Sequence, residues 1–157
     1  HKGNVVAIAI SDKGIIASRS FRSIAEKEQD IKLWNLNTGK LIRSISAGSV
    51  GGINSLAISR DGNLLAGYEI TNKGTPENSN SMETVKIWNL RTGETIYTLT
   101  PQINRPHAIA FSPDNKTVAI GGFSNQIEIW DIDSQAKTSA PTSAPESNIL
   151  EIQYKYI

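Results

Sequence analysis

The sequence has no cysteine, which excludes disulfides, thiolate nucleophiles and cysteine-based zinc sites. Histidine is nearly absent, with His1 and His107 the only two. A Ser-His-Asp triad or a zinc centre would have to be built on one of them. Neither charge is in excess, the formal net charge being +1. No field therefore points to nucleic acid or to an anionic membrane surface. No apolar run approaches the roughly 20 residues of a membrane-spanning helix, and no basic-then-apolar leader precedes the first strand pattern. The phosphate-cradling Gly-x-x-x-x-Gly-Lys-Ser/Thr loop is missing. Gly48-Ser49-Val50-Gly51-Gly52 lacks the lysine and reads as a turn. These absences leave no cofactor and no metal to expect, and the expected compartment is the cytoplasm. The chain opens on His1, not Met, and is read as a piece of a longer protein.

What is present is a repeat. At 38% apolar and 20% charged residues the composition is that of a folded domain. Three segments align: Val6–Asp12, Asn54–Asp61 and His107–Asp114. Each places large apolar residues one and three positions before a serine: Ile10 and Ile8 before Ser11, Ile58 and Leu56 before Ser59, Phe111 and Ile109 before Ser112. Alanine or serine fills the alternate positions. This period of two predicts a strand covered on both faces. Turns containing Asp12, Asp61 and Asp114 follow, and then second strands at 15–18, 64–67 and 118–121. The third strands are the clearest: Ile31–Leu36, Val85–Leu90 and Ile127–Ile132, each with a Trp followed by Asn or Asp. Fourth strands are predicted at 41–45 and 95–99.

The spacing is informative. Trp34 to Ser59 is 25 residues and Trp88 to Ser112 is 24, whereas Ser11 to Trp34, Ser59 to Trp88 and Ser112 to Trp130 are 23, 29 and 18. Length varies between the second and third strands of a unit.

These residues resemble WD40 repeats, the four-stranded units of a β-propeller. Trp34-Asn35, Trp88-Asn89 and Trp130-Asp131 match the family's Trp-Asp dipeptide, and His1 stands where its Gly-His histidine would. The resemblance covers residues 1–132. It implies an all-β chain: a WD40-type propeller with three four-stranded antiparallel blades in an open arc. Blade 1 is expected over 1–46, blade 2 over 47–100 and blade 3 over 101–157. The structural signature of the blades is Trp34, Trp88 and Trp130 with Asp12, Asp61 and Asp114, the three Trp serving as packing and not as a ligand cage. The family's network joins the His to a second-strand Ser, a turn Asp and the Trp. Only the first repeat keeps plausible members, His1, Ser18 and Trp34. The others have Gly67 and Ile120 in the Ser position, so hydrophobic packing is expected to replace the network. In the third repeat residues 136–148 are Ser/Thr/Ala/Pro-rich and read as a linker. The alternating stretch 149–156 reads as a delayed outer strand or a tail.

A blade is covered on both faces, and typical propellers have 4–8 blades. Three leave two open faces of roughly 300 Å² each, withholding something like 7 kcal/mol of burial apiece. Further blades of a longer chain, or a second copy, are the expected cover.

The resemblance implies a non-catalytic scaffold that binds a protein or peptide through the face carrying the loops between second and third strands. These loops are 20–30, with Phe21 and Arg22, and 69–83; they are equally readable as tolerated solvated insertions. The alternatives are a sugar-binding or hydrolytic propeller with its ligand in the central channel, and a purely architectural segment of a larger propeller. For a channel ligand the candidate polar residues are Asn4, Asn54, Arg105 and His107. No carboxylate pair accompanies them, and His107 reads first as a structural or channel-lining residue.

Overall fold

The computed structural model describes residues 1, 3–21, 30–47, 55–72, 81–123, 125–134 and 137–138. Each sheet is four-stranded, antiparallel and ordered as the chain runs. The first holds β1 (Asn4–Ile10), β2 (Ile15–Phe21), β3 (Ile31–Asn35) and β4 (Leu41–Ile45). The second holds β5 (Leu56–Ile58), β6 (Leu64–Asn72), β7 (Ser81–Asn89) and β8 (Thr95–Leu99). The third holds β9 (Ala108–Phe111), β10 (Thr117–Gly121), β11 (Ile127–Asp131) and β12 (Lys137–Thr138).

Turn chemistry fixes the register. After each inner strand the chain reverses through a residue with positive φ: Gly14 (74°), Gly62 (73°) and Asn115 (61°). Glycine and asparagine tolerate that conformation. The residue after each Trp has its own local task. Asn35 Oδ1 accepts from the Asn37 and Thr38 amides at 3.0 and 2.9 Å, and Asn89 Oδ1 from Arg91 and Thr92 at 2.9 and 3.1 Å. Asp131 Oδ1 accepts from the Ser134 amide at 2.7 Å. The dipeptide therefore couples a packing residue to an acceptor that closes the following turn.

Packing between the sheets follows from the alternation of large and small side chains. Ile10, Ile16 and Trp34 share one face of the first sheet, while Ala9, Ala17 and Leu33 share the other. The Ala17–Leu33 face meets Leu56, Leu65 and Trp88 of the second sheet. The opposite face of the second sheet, with Ala66, Val85 and Ile87, meets Val118 and Ile120 of the third. At each seam a face with smaller inner-strand residues receives a face with larger ones, which is how close packing without voids is reached.

Two expectations are corrected. The stretch 69–83 is not all loop: Glu69–Asn72 and Ser81–Thr84 continue β6 and β7, paired from Glu69↔Thr84 to Asn72↔Ser81. Ile70, Thr71 and Thr84 are β-branched and suit an extended ribbon. Likewise Phe21 closes β2, its backbone opposite Asn4. In the third sheet the outer position is taken by Lys137 and Thr138, opposite Trp130 and Ile129, inside the stretch read as linker. The expected late strand at 149–156 lies outside the described residues.

Gly122, just after β10, has no room for a side chain. A Cβ there would stand 2.5 Å from Ile103 Cγ2, 2.7 Å from the Asn104 carbonyl and 2.9 Å from the Arg105 carbonyl. Gly122→Ala should lower stability by about 1–3 kcal/mol, the cost of overpacking. Gly121→Ala, whose nearest neighbour would be Ala108 Cβ at 3.7 Å, should change it by less than about 1 kcal/mol. Urea unfolding midpoints of the two variants check this.

Candidate functional site

The second and fourth strands end, and the first and third strands begin, on one side of the array. The link before β9 is pinned there by its backbone. The Phe123 amide donates to the Asn104 carbonyl at 2.8 Å, and His107 N–H to the Gly121 carbonyl at 3.0 Å. Arg105 adopts φ +46°, an uncommon conformation for a residue with a side chain. Its amide donates to Glu83 Oε2 at 2.9 Å, so the end of β7 holds this loop in shape. On the loop so formed, Phe123 is 66% exposed and meets the His107 ring edge-on, 5.1 Å between centroids at 84°. An exposed aromatic on a turn held by a backbone hydrogen bond and a ring contact is a suitable anchor for a partner.

Beneath this rim the seams carry buried polar groups. Arg19 on β2 and Glu69 on β6 are each 1% exposed. Burial holds the Arg19 guanidinium below its ordinary pKa, and the facing Glu69 opposes that shift. Lys86 Nζ lies 2.5 Å from Glu69 Oε2, so cation, carboxylate and cation bridge the first seam. At the second seam burial, reinforced by Glu83, pushes the Tyr68 phenol well above its ordinary pKa.

The Trp indole groups show three solutions to one problem. Trp34 Nε1 donates to Ser18 Oγ at 2.7 Å, and Ser18 Oγ lies 2.6 Å from His1 Nε2. In the second sheet Gly67 supplies no hydroxyl, and buried Trp88 Nε1 has no partner among the described residues. In the third sheet Ile120 replaces the serine, yet a polar tie persists. Glu128, 2% exposed, accepts from Trp130 Nε1 at 3.0 Å and from the Gln102 amide at 3.0 Å. The expectation that packing alone replaces the network is therefore corrected for this sheet. Its sequence signal was a Glu in β11 where the other sheets have Lys32 and Lys86.

The opposite side holds the turns that follow the inner strands. Ser59 Oγ donates to Asp61 at 2.6 Å and Ser112 Oγ to Asp114 at 2.5 Å. These bonds hold both carboxyl groups below their ordinary pKa. The first turn is one residue shorter: Ser11 Oγ accepts from the Ile15 amide, and Asp12 pairs across the seam with Arg60 at 3.4 Å. A shallow groove crosses these turns over Ile10, Ile58 and Phe111.

Of the sequence candidates, Arg105 and His107 lie together on the loop side, both exposed, and Asn4 opens β1. Arg22 and Asn54 lie outside the described residues, as does the Phe21 side chain. Phe123 and Glu83 were missed, the first because a short Gly-Phe-Ser turn gives no periodic signal. Among the described residues no three His, Cys, Asp or Glu side chains gather as a metal site would require.

Residues 93–131 match the family model for the WD domain, G-beta repeat. The chain is 31% identical over 149 residues to anaphase-promoting complex subunit cdh1 of Dictyostelium discoideum, covering 94% of this chain and 18% of that protein. It is 29% identical to WD repeat-containing protein srw1 of Schizosaccharomyces pombe, covering 98% of this chain and 26% of that protein. The chain thus spans about a quarter or less of these relatives. The crystal structure of the WD40 repeats of RRP9 superposes with a TM-score of 0.68 at 17% identity, over 88% of this chain and 38% of that one.

Two measurements test the turns and ties. For Asp61 and Asp114 the folded pKa lies below the unfolded value of about 3.8. Their stabilisation is therefore complete above that value and lost as pH falls through the folded pKa. Asp61→Asn/Asp114→Asn should flatten the drop in Tm below about pH 4 relative to the parent. Glu128→Ala should cost about 1–3 kcal/mol by orphaning the Trp130 indole and the Gln102 amide. Glu128→Gln, which keeps an acceptor, should cost less in the same urea titration.

Proposed function

Because this chain belongs to the WD40-repeat family, we propose that it is a non-catalytic scaffold that binds a protein or peptide through the side carrying the β10–β11 turn and the link before β9. The observation that carries this reading is Phe123. It is 66% exposed, yet its position is set by the Asn104 carbonyl and by the His107 ring. A rigid aromatic loses little conformational freedom on binding, so more of its burial reaches the affinity. His107 and Arg105 beside it add two exposed hydrogen-bonding side chains.

The groove on the opposite side is a weaker candidate for a channel ligand. Its floor is Ile10, Ile58 and Phe111, and the Ser59 and Ser112 hydroxyls above it are already donated to Asp61 and Asp114. The charged groups of its lining, Asp12 and Arg60, are joined in an ion pair at 3.4 Å. The cytoplasm is the compartment proposed for such a scaffold.

Peptides selected from a random display library on the immobilised chain test the proposal. Phe123→Ala should weaken the selected peptides by about tenfold or more, as for a hot-spot residue. Arg60→Ala on the opposite side should leave them unchanged. Both residues are exposed, so neither change should lower Tm. Peptides that lose affinity with Arg60→Ala and not with Phe123→Ala would move the site to the groove.

A further inference from the structure

A single peptide group joins the β6–β7 pair to the turn that carries Phe123. It lies between Asn104 and Arg105. Its carbonyl accepts from the Phe123 amide at 2.8 Å, and its N–H donates to Glu83 Oε2 at 2.9 Å. A peptide group is planar and rigid, so its C=O and N–H turn together about the bonds that flank it. Whatever orients the N–H therefore orients the carbonyl on which Phe123 rests. Glu83 stands opposite Ile70 in the β6–β7 ladder. It shares a sheet face with Val85, which meets the third sheet, and its carboxylate interacts with the buried Tyr68 phenol.

The plane is held in an orientation that the chain does not favour on its own. Arg105 has φ +46°, a left-handed conformation disfavoured for a residue with a side chain by a factor of about 5–30. Turning the plane over would return Arg105 to negative φ and would break both hydrogen bonds. The β10–β11 turn is also seated on this group, since a Cβ on Gly122 would stand 2.7 Å from the Asn104 carbonyl oxygen. A hydrogen bond to a carboxylate is stronger than a neutral one, so Glu83 is the partner able to offset the left-handed cost. We propose that Glu83 is a positioning residue for the partner site: through the 104–105 plane it fixes the turn that presents Phe123, and so couples affinity at Phe123 to the β6–β7 pair. This rests on the reading of Phe123 as the anchor. With the plane turned over, the binding-competent fraction falls, and apparent affinity falls in proportion.

Amide hydrogen exchange on the chain alone, followed by NMR, tests the seat, and titration with the display-selected peptides tests its consequence. In Glu83→Ala the Phe123 amide should exchange about fivefold faster or more, the lower end of the left-handed cost. The Leu90 amide, held by the Asn63 carbonyl at 2.8 Å on the opposite side, should keep the parent's rate. Glu83→Gln, which retains an oxygen acceptor, should restore most of the protection at Phe123. Peptides that Phe123→Ala weakens should lose about fivefold or more with Glu83→Ala and less with Glu83→Gln. Unchanged exchange at Phe123 in Glu83→Ala would overturn the proposal. Equal acceleration at Leu90 would overturn it as well, since Glu83 would then only stabilise the sheets. So would peptides that need Phe123 and bind Glu83→Ala at full strength. Faster exchange at Phe123 alone, with peptides indifferent to Phe123→Ala, would instead remove the anchor reading and leave the role of the plane standing.

Discussion

The structure depends on the fit of a small-residue sheet face against a large-residue one. Ala17 lies at the first seam against Leu56, Leu65 and Trp88, and Ala66 at the second against Val118 and Ile120. Small side chains on the inner strands let neighbouring sheets approach where they are most crowded. Trp88 and Trp130 on the third strands add bulk to the large-residue face at the first and second seams. Among the described residues, Arg19, Glu69 and Glu128 are the charged side chains buried along with these seams. Each sheet pairs its strands along its own ladder, and the link before β9 adds Ile103 to the core.

This logic was legible in the sequence because it is periodic. Alternation of Ile8 and Ile10 with Ala7 and Ala9, repeated in two further segments, gave the strands, but the expected cover on both faces fails for β1, where Ile8 and Ile10 are exposed, and for β9, where Ala108 and Ala110 are. The Trp-Asn and Trp-Asp dipeptides gave the third strands, and the structure adds the reason for the second residue, which caps the next turn. What was not legible is aperiodic or long-range. The continuation of β6 and β7 past Tyr68 was hidden by polar residues that read as loop, although Thr71 and Thr84 favour extended backbone. The two-residue β12 is too short to leave a pattern. Phe123 could not be distinguished as a candidate anchor until its turn was seen to rest on Asn104 and His107. Asp12 aligns with Asp61 and Asp114 by eye, but a turn shorter by one residue gives it a different partner.

The indole ties show how loosely sequence constrains a structural role. One sheet joins its Trp through a serine to a histidine, another gives the indole no partner among the described residues, and the third uses a carboxylate two residues before the Trp on the same strand. Each serves, or dispenses with, the link between the third strand and the chain entering the sheet. Loss of the familiar residues at 67 and 120 therefore means different things in different sheets. In the second the Trp88 indole has no partner among the described residues, and in the third the loss is compensated by Glu128. The buried Arg19, Glu69 and Lys86 group is of another kind, because it crosses a seam. Buried ion pairs are weak sources of stability, and this one lies where the first two sheets face each other.

The ribbon formed by the ends of β6 and β7 has a mechanical consequence. Its four rungs from Glu69↔Thr84 to Asn72↔Ser81 extend about 13 Å at the usual rise per residue, beyond the rungs shared with β5 and β8. It behaves as a lever hinged on the second sheet. A load applied near Asn72 and Ser81 is transmitted to the stack through its base, where Glu69 grips Lys86 and faces Arg19 of the neighbouring sheet. Force or bending at the far end would thus be felt first as a shear between the first two sheets.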